Sequence, residues 1–119
     1  MGAEPLTRTI AALNDALSRR AIDLVRERHR LGDIDWCWLA LGSEGRGEQT
    51  FTTDQDNALL FVAPDASETP ARRERLLAFA RDVNASLDRL GFPLCTGNVM
   101  AGNAELCLST EEWKEKFLK

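Results

Sequence analysis

The sequence predicts an α/β fold of the α+β kind, in which a small mixed sheet is flanked by helices. Two long segments repeat apolar residues with the period of a helix, short apolar runs have the length of buried strands, and turns containing glycine and proline separate these elements. The predicted order is helix, strand, strand, helix, strand, helix, which indicates a mixed layered domain. A chain of 119 residues is expected to form one domain, so we assign residues 1–119 to a single unit.

The first helix is predicted over residues 6–30. Its apolar residues recur at spacings of 3, 4, 4 and 3, and we expect the face that they form to be buried. These residues are Ile10, Leu13, Leu17, Ala21 and Leu24. Gly32 suits the left-handed turn that often follows a helix, so we expect the helix to end before it.

Two strands are predicted next, over residues 36–41 and 50–62. The first is a short run of large apolar and aromatic residues, and the second is most apolar over residues 58–62. The segment between them, residues 42–49, is rich in glycine and polar residues and is predicted to be a loop. This connection is too short for the crossover helix of a dinucleotide-binding unit, and no Walker lysine motif is present.

The second half of the chain is predicted to form a helix, a strand and a short helix. Thr69 can cap a helix whose first residue is Pro70. Its expected buried face consists of Leu76, Ala80, Val83, Leu87 and Leu90. Residues 94–101 are predicted to be the third strand, and Ser109 with Glu112 forms a capping box for the last helix.

Charge and cysteine content narrow the classes of function. Asp and Glu number 19 against 15 Lys and Arg, a net charge of −4, which disfavours broad binding to nucleic acid. Cys37, Cys95 and Cys107 are widely spaced and odd in number, so we interpret them as reduced thiols. The sequence contains neither a signal peptide nor an apolar stretch of membrane-spanning length, so we expect a cytoplasmic protein without membrane contact.

The segment with the clearest chemistry joins a glycine-rich loop to two carboxylates. Asp54 and Asp56 are two residues apart at the start of a predicted strand, so their side chains project from the same side. Paired carboxylates suit Mg²⁺, whose coordination shell the phosphates of a nucleotide can complete. Gly42 and Ser43 end the preceding strand, where glycine lets the backbone approach a phosphate and serine adds a hydroxyl.

This arrangement resembles a known signature. Gly42-Ser43, ten further residues and Asp54-x-Asp56 are similar to the motif of the polymerase β-like nucleotidyltransferase superfamily. The sequence Gly-Arg-Gly-Glu at residues 45–48, residues 53–59 and residues 91–101 more narrowly resemble bacterial nucleotidyltransferase homologues related to the uridylyltransferase of a nitrogen-regulatory protein. The resemblance extends over residues 38–113. In that group the domain is often fused to CBS-pair or cyclic-nucleotide-binding domains.

The resemblance implies a nucleotidyltransferase-like fold and a set of site residues. It assigns contact with a nucleoside triphosphate to Gly42 and Ser43, and ligation of Mg²⁺ or Mn²⁺ to Asp54 and Asp56. Three further residues match the group's motif and are expected at the nucleotide site: Arg46, Glu48 and Asn57. Arg46 would face a phosphate, and Glu48 would orient Arg46 through a salt bridge.

Two features depart from the superfamily pattern. Polar Gln55 and Asn57 stand where the superfamily has apolar residues around the second carboxylate. A third carboxylate is also expected on a later strand, but residues 94–101 contain neither Asp nor Glu. The third ligand is then expected to be Glu105, or a residue beyond Lys119 in a longer parent protein, of which we expect this chain to be a part.

Two functions are consistent with these residues. The first is metal-dependent transfer of a nucleoside monophosphate from a triphosphate to a hydroxyl acceptor, with a protein favoured over a nucleic acid as acceptor. The alternative is a regulatory module that binds the nucleotide but has lost turnover. Neither the preferred base nor the acceptor follows from the sequence.

Overall fold

The computed structural model describes residues 4–41 and 55–118, which form three helices and one sheet of three strands. The helices are α1 (Glu4–Arg26), α2 (Thr69–Arg89) and α3 (Thr110–Leu118). The strands are β1 (Trp36–Ala40), β2 (Asn57–Phe61) and β3 (Cys107–Ser109). Short 3-10 turns, Ala66–Glu68 and Ala104–Leu106, precede α2 and β3. The α+β fold class predicted from the sequence is confirmed. None of the helices in the described ranges is long and apolar enough to cross a membrane.

The sheet is mixed, with β2 in the centre. β1 pairs with β2 in antiparallel fashion, with Trp36 opposite Phe61 and Ala40 opposite Asn57. β2 pairs with β3 in parallel, with Leu59 opposite Cys107. The predicted neighbouring strands are therefore confirmed, although β2 is shorter than residues 50–62, of which 50–54 lie outside the described residues.

The prediction of a third strand at residues 94–101 is wrong. β3 lies further along the chain, and residues 93–101 instead pass the start of β2 as a series of turns. The carbonyls of Pro93 and Val99 accept hydrogen bonds from the N–H groups of Gln55 and Asn57, at 2.9 and 3.1 Å. A turn breaks regular pairing between these two contacts, since Asn98 has a φ of 58°.

Helix α2 covers one face of the sheet and supplies much of the core. Its buried residues are Leu76, Phe79, Ala80, Val83, Asn84 and Leu87. Because side chains alternate along a strand, Trp36 and Trp38 of β1 project to this face, and their rings lie 4.9 and 6.4 Å from the ring of Phe79. Leu90, placed on the buried face by periodicity, is 51% exposed because α2 ends at Arg89.

The beginning of α2 differs from the predicted capping. Thr69 already has helical dihedral angles, because the 3-10 turn at Ala66–Glu68 leads directly into the helix. The side chain that accepts a capping hydrogen bond is that of Asp65, from the N–H of Ser67. The prediction that Thr69 caps the helix is therefore wrong.

Helix α1 packs against α2 with only part of the predicted face, since Ile10 and Ala21 are buried as expected. Leu13, Leu17 and Leu24 are 56%, 43% and 45% exposed. The buried residues are Ile10, Asn14, Ser18, Ala21 and Val25. The helix ends at Arg26, earlier than predicted, because the chain turns to bury Leu31 and Ile34 in the core.

Polar contacts tie the connection after α1 to α2. Arg75 donates to both carboxylate oxygens of Asp33, each at 2.9 Å, and also to the carbonyl of Arg30. The Arg75 hydrogen bonds lower the pKa of Asp33 to about 2. His29 lies 2.7 Å from Asp82 and its ring contacts Phe79 edge-on.

The predicted capping box of α3 is confirmed. The N–H of Ser109 donates to Glu112 at 2.9 Å, and the N–H of Glu112 donates to the Ser109 hydroxyl at 3.2 Å. Arg73 of α2 pairs with Glu112 and donates to the carbonyl of Cys107, which joins α2, β3 and the start of α3. Cys107 is fully buried, and burial raises the pKa of its thiol to about 11.

Candidate functional site at the start of β2

The sequence-predicted site residues fall into two groups. Asp56 and Asn57 belong to the described structure. Five others lie in residues 42–54, outside the described residues: Gly42, Ser43, Arg46, Glu48 and Asp54.

Asp56 lies where the end of β1 meets the start of β2. Its carbonyl accepts a hydrogen bond from the N–H of Leu41 at 2.9 Å, which continues the β1–β2 ladder by one step. Leu41 directly precedes Gly42 in the chain. Asp56 is half-buried, and none of the described residues forms a hydrogen bond or an ion pair with its carboxylate.

The residues on either side of Asp56 project to the other face of the sheet. Gln55 and Asn57 are 3% and 2% exposed and contact α2, which covers that face. Because side chains alternate along an extended chain, Asp56 projects away from α2. The face opposite to α2 also carries Cys37, Leu39 and Leu60, by the pairing register of β1 and β2.

Gln55 makes a complete set of hydrogen bonds with α2 and the segment after it. Its Nε2 donates to the carbonyl of Asn84 at 2.7 Å and to that of Phe92 at 3.0 Å. Its Oε1 accepts from Nδ2 of Asn84 at 2.8 Å. Burying an amide side chain costs little when its donors and acceptor are all paired in this way.

Asn57 completes the same buried network. Its Oδ1 accepts from Nδ2 of Asn84 at 3.1 Å and from the N–H of Ala101 at 2.7 Å. Oδ1 of Asn84 in turn accepts from the N–H of Gly102 at 2.9 Å. The structure therefore places Asn57 on the face that contacts α2, although the sequence motif suggested a nucleotide contact. The sequence contains the signal for this orientation: Asn57 directly follows Asp56 in a strand, so the two side chains project to opposite faces of the sheet.

Glu105 lies in the 3-10 turn Ala104–Leu106, which packs beside β2. Glu105 lies two residues before Cys107, which pairs with Leu59 of β2. Glu105 is exposed, its N–H donates to Oδ1 of Asn103 at 3.0 Å, and its carbonyl accepts from Lys116 at 3.3 Å. Within residues 4–41 and 55–118, no three His, Cys, Asp or Glu side chains are grouped so that they could hold a metal ion.

Two clefts flank the central strand. One, of about 240 Å³, opens beside the buried amides and is lined by Asn84, Leu94, Asn98, Met100 and Gly102, among others. The other, of about 600 Å³, lies at the opposite end of β2, between Val62, Thr69 and the start of α3. Asp56 lines neither cleft.

Comparison with known proteins places the chain in a family. Neither the curated proteins nor the solved structures gave a match to this sequence. A family model described as "Putative nucleotidyltransferase DUF294" matches residues 1–119, the whole of the sequence. The chain therefore belongs to the DUF294 family.

Proposed function

We propose that this domain transfers a nucleoside monophosphate from a nucleoside triphosphate to a hydroxyl group, with release of pyrophosphate, and that it requires Mg²⁺ or Mn²⁺. The observation that carries the proposal is the hydrogen bond from Leu41 to the carbonyl of Asp56. Leu41 is covalently joined to Gly42, and Asp54 lies two residues before Asp56. The glycine-rich segment therefore begins and ends at the same end of the β1–β2 strand pair, which supports a common site for phosphates and metal.

The residues available fit a divalent metal bound together with a triphosphate. Asp56 offers carboxylate oxygens on a half-buried surface where no described cation neutralises them, and hard cations such as Mg²⁺ prefer oxygen ligands. Asp54 would be the second protein ligand. Such a metal stabilises the charge that develops on the transferred phosphoryl group and the leaving pyrophosphate.

The glycine-rich segment would hold the triphosphate. Backbone N–H groups at Gly42 and Ser43 and the Ser43 hydroxyl are suitable phosphate donors. Arg46 would add a positive charge at the phosphates, with Glu48 orienting its guanidinium. Asn57 enters the proposal as a residue that holds the site in place, since its side chain contacts Asn84 and Ala101.

The acceptor is proposed to be a protein, for two reasons. The net charge of −4 disfavours the counterion exchange that drives binding to nucleic acid. The sequence also resembles enzymes related to a uridylyltransferase that modifies a protein. A fused regulatory domain in a longer parent chain is part of the same proposal.

The metal pair is tested by exchanging each carboxylate for an amide. Asp54→Asn and Asp56→Asn are expected to abolish the rise in Tm that Mg²⁺ with nucleoside triphosphate gives, because ligand binding stabilises the folded state by linkage. Asp88→Asn, at an exposed position near the end of α2, is the matched control and should keep the full rise. An unchanged rise in both site variants would contradict the proposed metal site.

Turnover is tested by pyrophosphate release from each of the four triphosphates, with a candidate acceptor protein present. A third carboxylate normally helps to activate the acceptor hydroxyl. We therefore expect slow or no release from the 119-residue chain and faster release from a chain extended past Lys119. Rapid release from the short chain that Glu105→Gln abolishes would identify Glu105 as the third ligand. Binding without release from either chain would support the regulatory module instead.

A further inference from the structure

The buried amides around Asp56 connect the proposed metal site to helix α2. Asn84, in the middle of that helix, is 4% exposed and its side chain contacts both neighbours of Asp56. Its Nδ2 donates to Gln55 at 2.8 Å and to Asn57 at 3.1 Å. One side chain therefore holds the two residues that flank the carboxylate in the chain.

The backbone on both sides of Asp56 is held as well. The N–H of Gln55 donates to the carbonyl of Pro93 at 2.9 Å, and the N–H of Asn57 donates to that of Val99 at 3.1 Å. The carbonyl of Asp56 accepts from Leu41 on the β1 side at 2.9 Å. With three consecutive residues fixed in this way, rotation of the chain that would turn Asp56 toward another face breaks several buried hydrogen bonds.

Position 102 shows how closely the network is packed. A Cβ atom added to Gly102 would lie 2.8 Å from Oδ1 of Asn84 and 2.9 Å from Cγ of Arg81, closer than van der Waals contact allows. The absent side chain lets the N–H of Gly102 reach Asn84 at 2.9 Å. Every polar atom of the Asn84 side chain is thus paired with residues 55–57 or with the segment after residue 93.

Three buried amides are a costly way to fill a core. If any one of them is left unpaired, the folded state is destabilised by the free energy needed to remove that amide from water. What such a network provides is a single fixed arrangement of the groups that it bonds. Here those groups are the backbone and side chains next to Asp56.

We propose that Asn84 is a positioning residue for the metal–nucleotide site: it holds residues 55–57 so that the Asp56 carboxylate stays on the face opposite to α2. This inference rests on the proposed function, because it requires Asp56 to bind the metal. Loss of a residue that orients a metal ligand typically lowers metal affinity about 10–100-fold. The same loss is expected for Asn84→Ala.

The test compares Asn84→Ala with Leu87→Ala, a control on the same helix. Leu87 is 3% exposed, so its truncation also leaves a cavity, but no side-chain hydrogen bond links it to residues 55–57. Affinity for Mn²⁺ is measured by electron paramagnetic resonance, with and without nucleoside triphosphate, at a temperature where all variants are folded. Asn84→Ala should weaken Mn²⁺ binding about 10–100-fold, whereas Leu87→Ala should stay within about twofold of wild type.

A second readout reports on the network itself. Amide hydrogen exchange at Ala101 and Gly102 follows the bonds to Asn57 and Asn84 directly, and it should accelerate in Asn84→Ala but not in Leu87→Ala. Unchanged Mn²⁺ affinity in Asn84→Ala, with Asp56→Asn losing binding, would overturn the positioning role and leave the proposed function standing. Equal losses in Asn84→Ala and Leu87→Ala would overturn it too. Full binding by Asp56→Asn would refute the proposed site, and this inference with it.

Discussion

Helices α1 and α2 were predicted by the same rule, but α2 buries four of its five predicted residues and α1 buries only two. In α2, Leu76, Ala80, Val83 and Leu87 are all at most 3% exposed. In α1, all three leucines of the predicted face are at least 43% exposed, while Asn14 and Ser18 are 9% and 8% exposed. The long leucine side chains of α1 therefore lie outside the core, and smaller polar ones lie inside.

The difference follows from what each helix packs against. α2 covers a sheet whose inner face carries Trp36, Trp38, Leu59 and Phe61, so large side chains are needed to fill the space. α1 packs against α2, and small residues such as Ser18 and Ala21 let two helices approach closely. Periodicity identifies an amphipathic helix, but two adjacent stripes satisfy it in α1, and only the partner selects between them.

The largest effect on stability is expected at the α2 residue that contacts both aromatic side chains of β1. Phe79 has no exposed surface and lies 4.9 Å from the ring of Trp36. Phe79→Ala should lower the free energy of unfolding by about 3–5 kcal/mol, since it removes the buried ring and leaves a cavity. Urea denaturation measures the loss, and a value near zero would mean that α2 is not the main support of the sheet.

A smaller loss is expected from the buried face of α1. Val25 is 1% exposed and belongs to the main core, so Val25→Ala should cost about 1–3 kcal/mol. The same urea experiment measures it. If Val25→Ala proves neutral, the packing of α1 on α2 contributes little to the free energy of unfolding. The difference in stabilisation between α1 and α2 would then be larger than we expect.

The contact that joins the end of α1 to α2 should depend on pH. Arg75 holds the pKa of Asp33 at about 2, below its ordinary value of 3.8. A lowered folded-state pKa stabilises the fold above the unfolded-state pKa, and the benefit is lost as the pH falls toward 2. Asp33→Asn should therefore have a lower Tm than wild type at pH 7, with the difference shrinking between about pH 4 and pH 2. A difference that is constant over this interval would show that the carboxylate charge is not involved.

The smallest effect is expected at the exposed leucines of α1. Leu17→Gln should change the free energy of unfolding by at most about 0.5 kcal/mol, because the side chain is already 43% exposed and glutamine is an equally good helix former. Val25→Ala on the same helix is the control. A loss above about 2 kcal/mol would mean that Leu17 is buried in solution.

Local rules predicted the parts of the fold that depend on neighbouring residues. The capping box at Ser109 and Glu112 is an interaction within four residues, and the β1–β2 pair is joined by one short connection, so both followed from the sequence. The third strand did not. Residues 94–101 are apolar enough for a strand, but a local turn at Asn98 interrupts them, and the bonds to Gln55 and Asn57 that hold them are long-range features.

The candidate site shows the same division. Asp56 at the start of a strand could be predicted, since the strand itself is a local apolar run. The burial of Gln55 and Asn57 could not, because Asn84 and Ala101, which satisfy hydrogen bonds of their side chains, lie 27 or more residues away in the chain. Because the sequence does not show these partners, polar residues next to Asp56 are easily interpreted as contacts to a nucleotide.

The three cysteines differ in a way that makes the fold's opening measurable. Cys37 is exposed on β1, whereas Cys107 is fully buried on β3 with its thiol pKa raised to about 11. The thiolate attacks alkylating reagents, so Cys37 should be modified quickly and Cys107 only when β3 detaches from β2. The rate of the slow phase of alkylation then measures how often β3 detaches from the sheet, and the native cysteines suffice for the measurement.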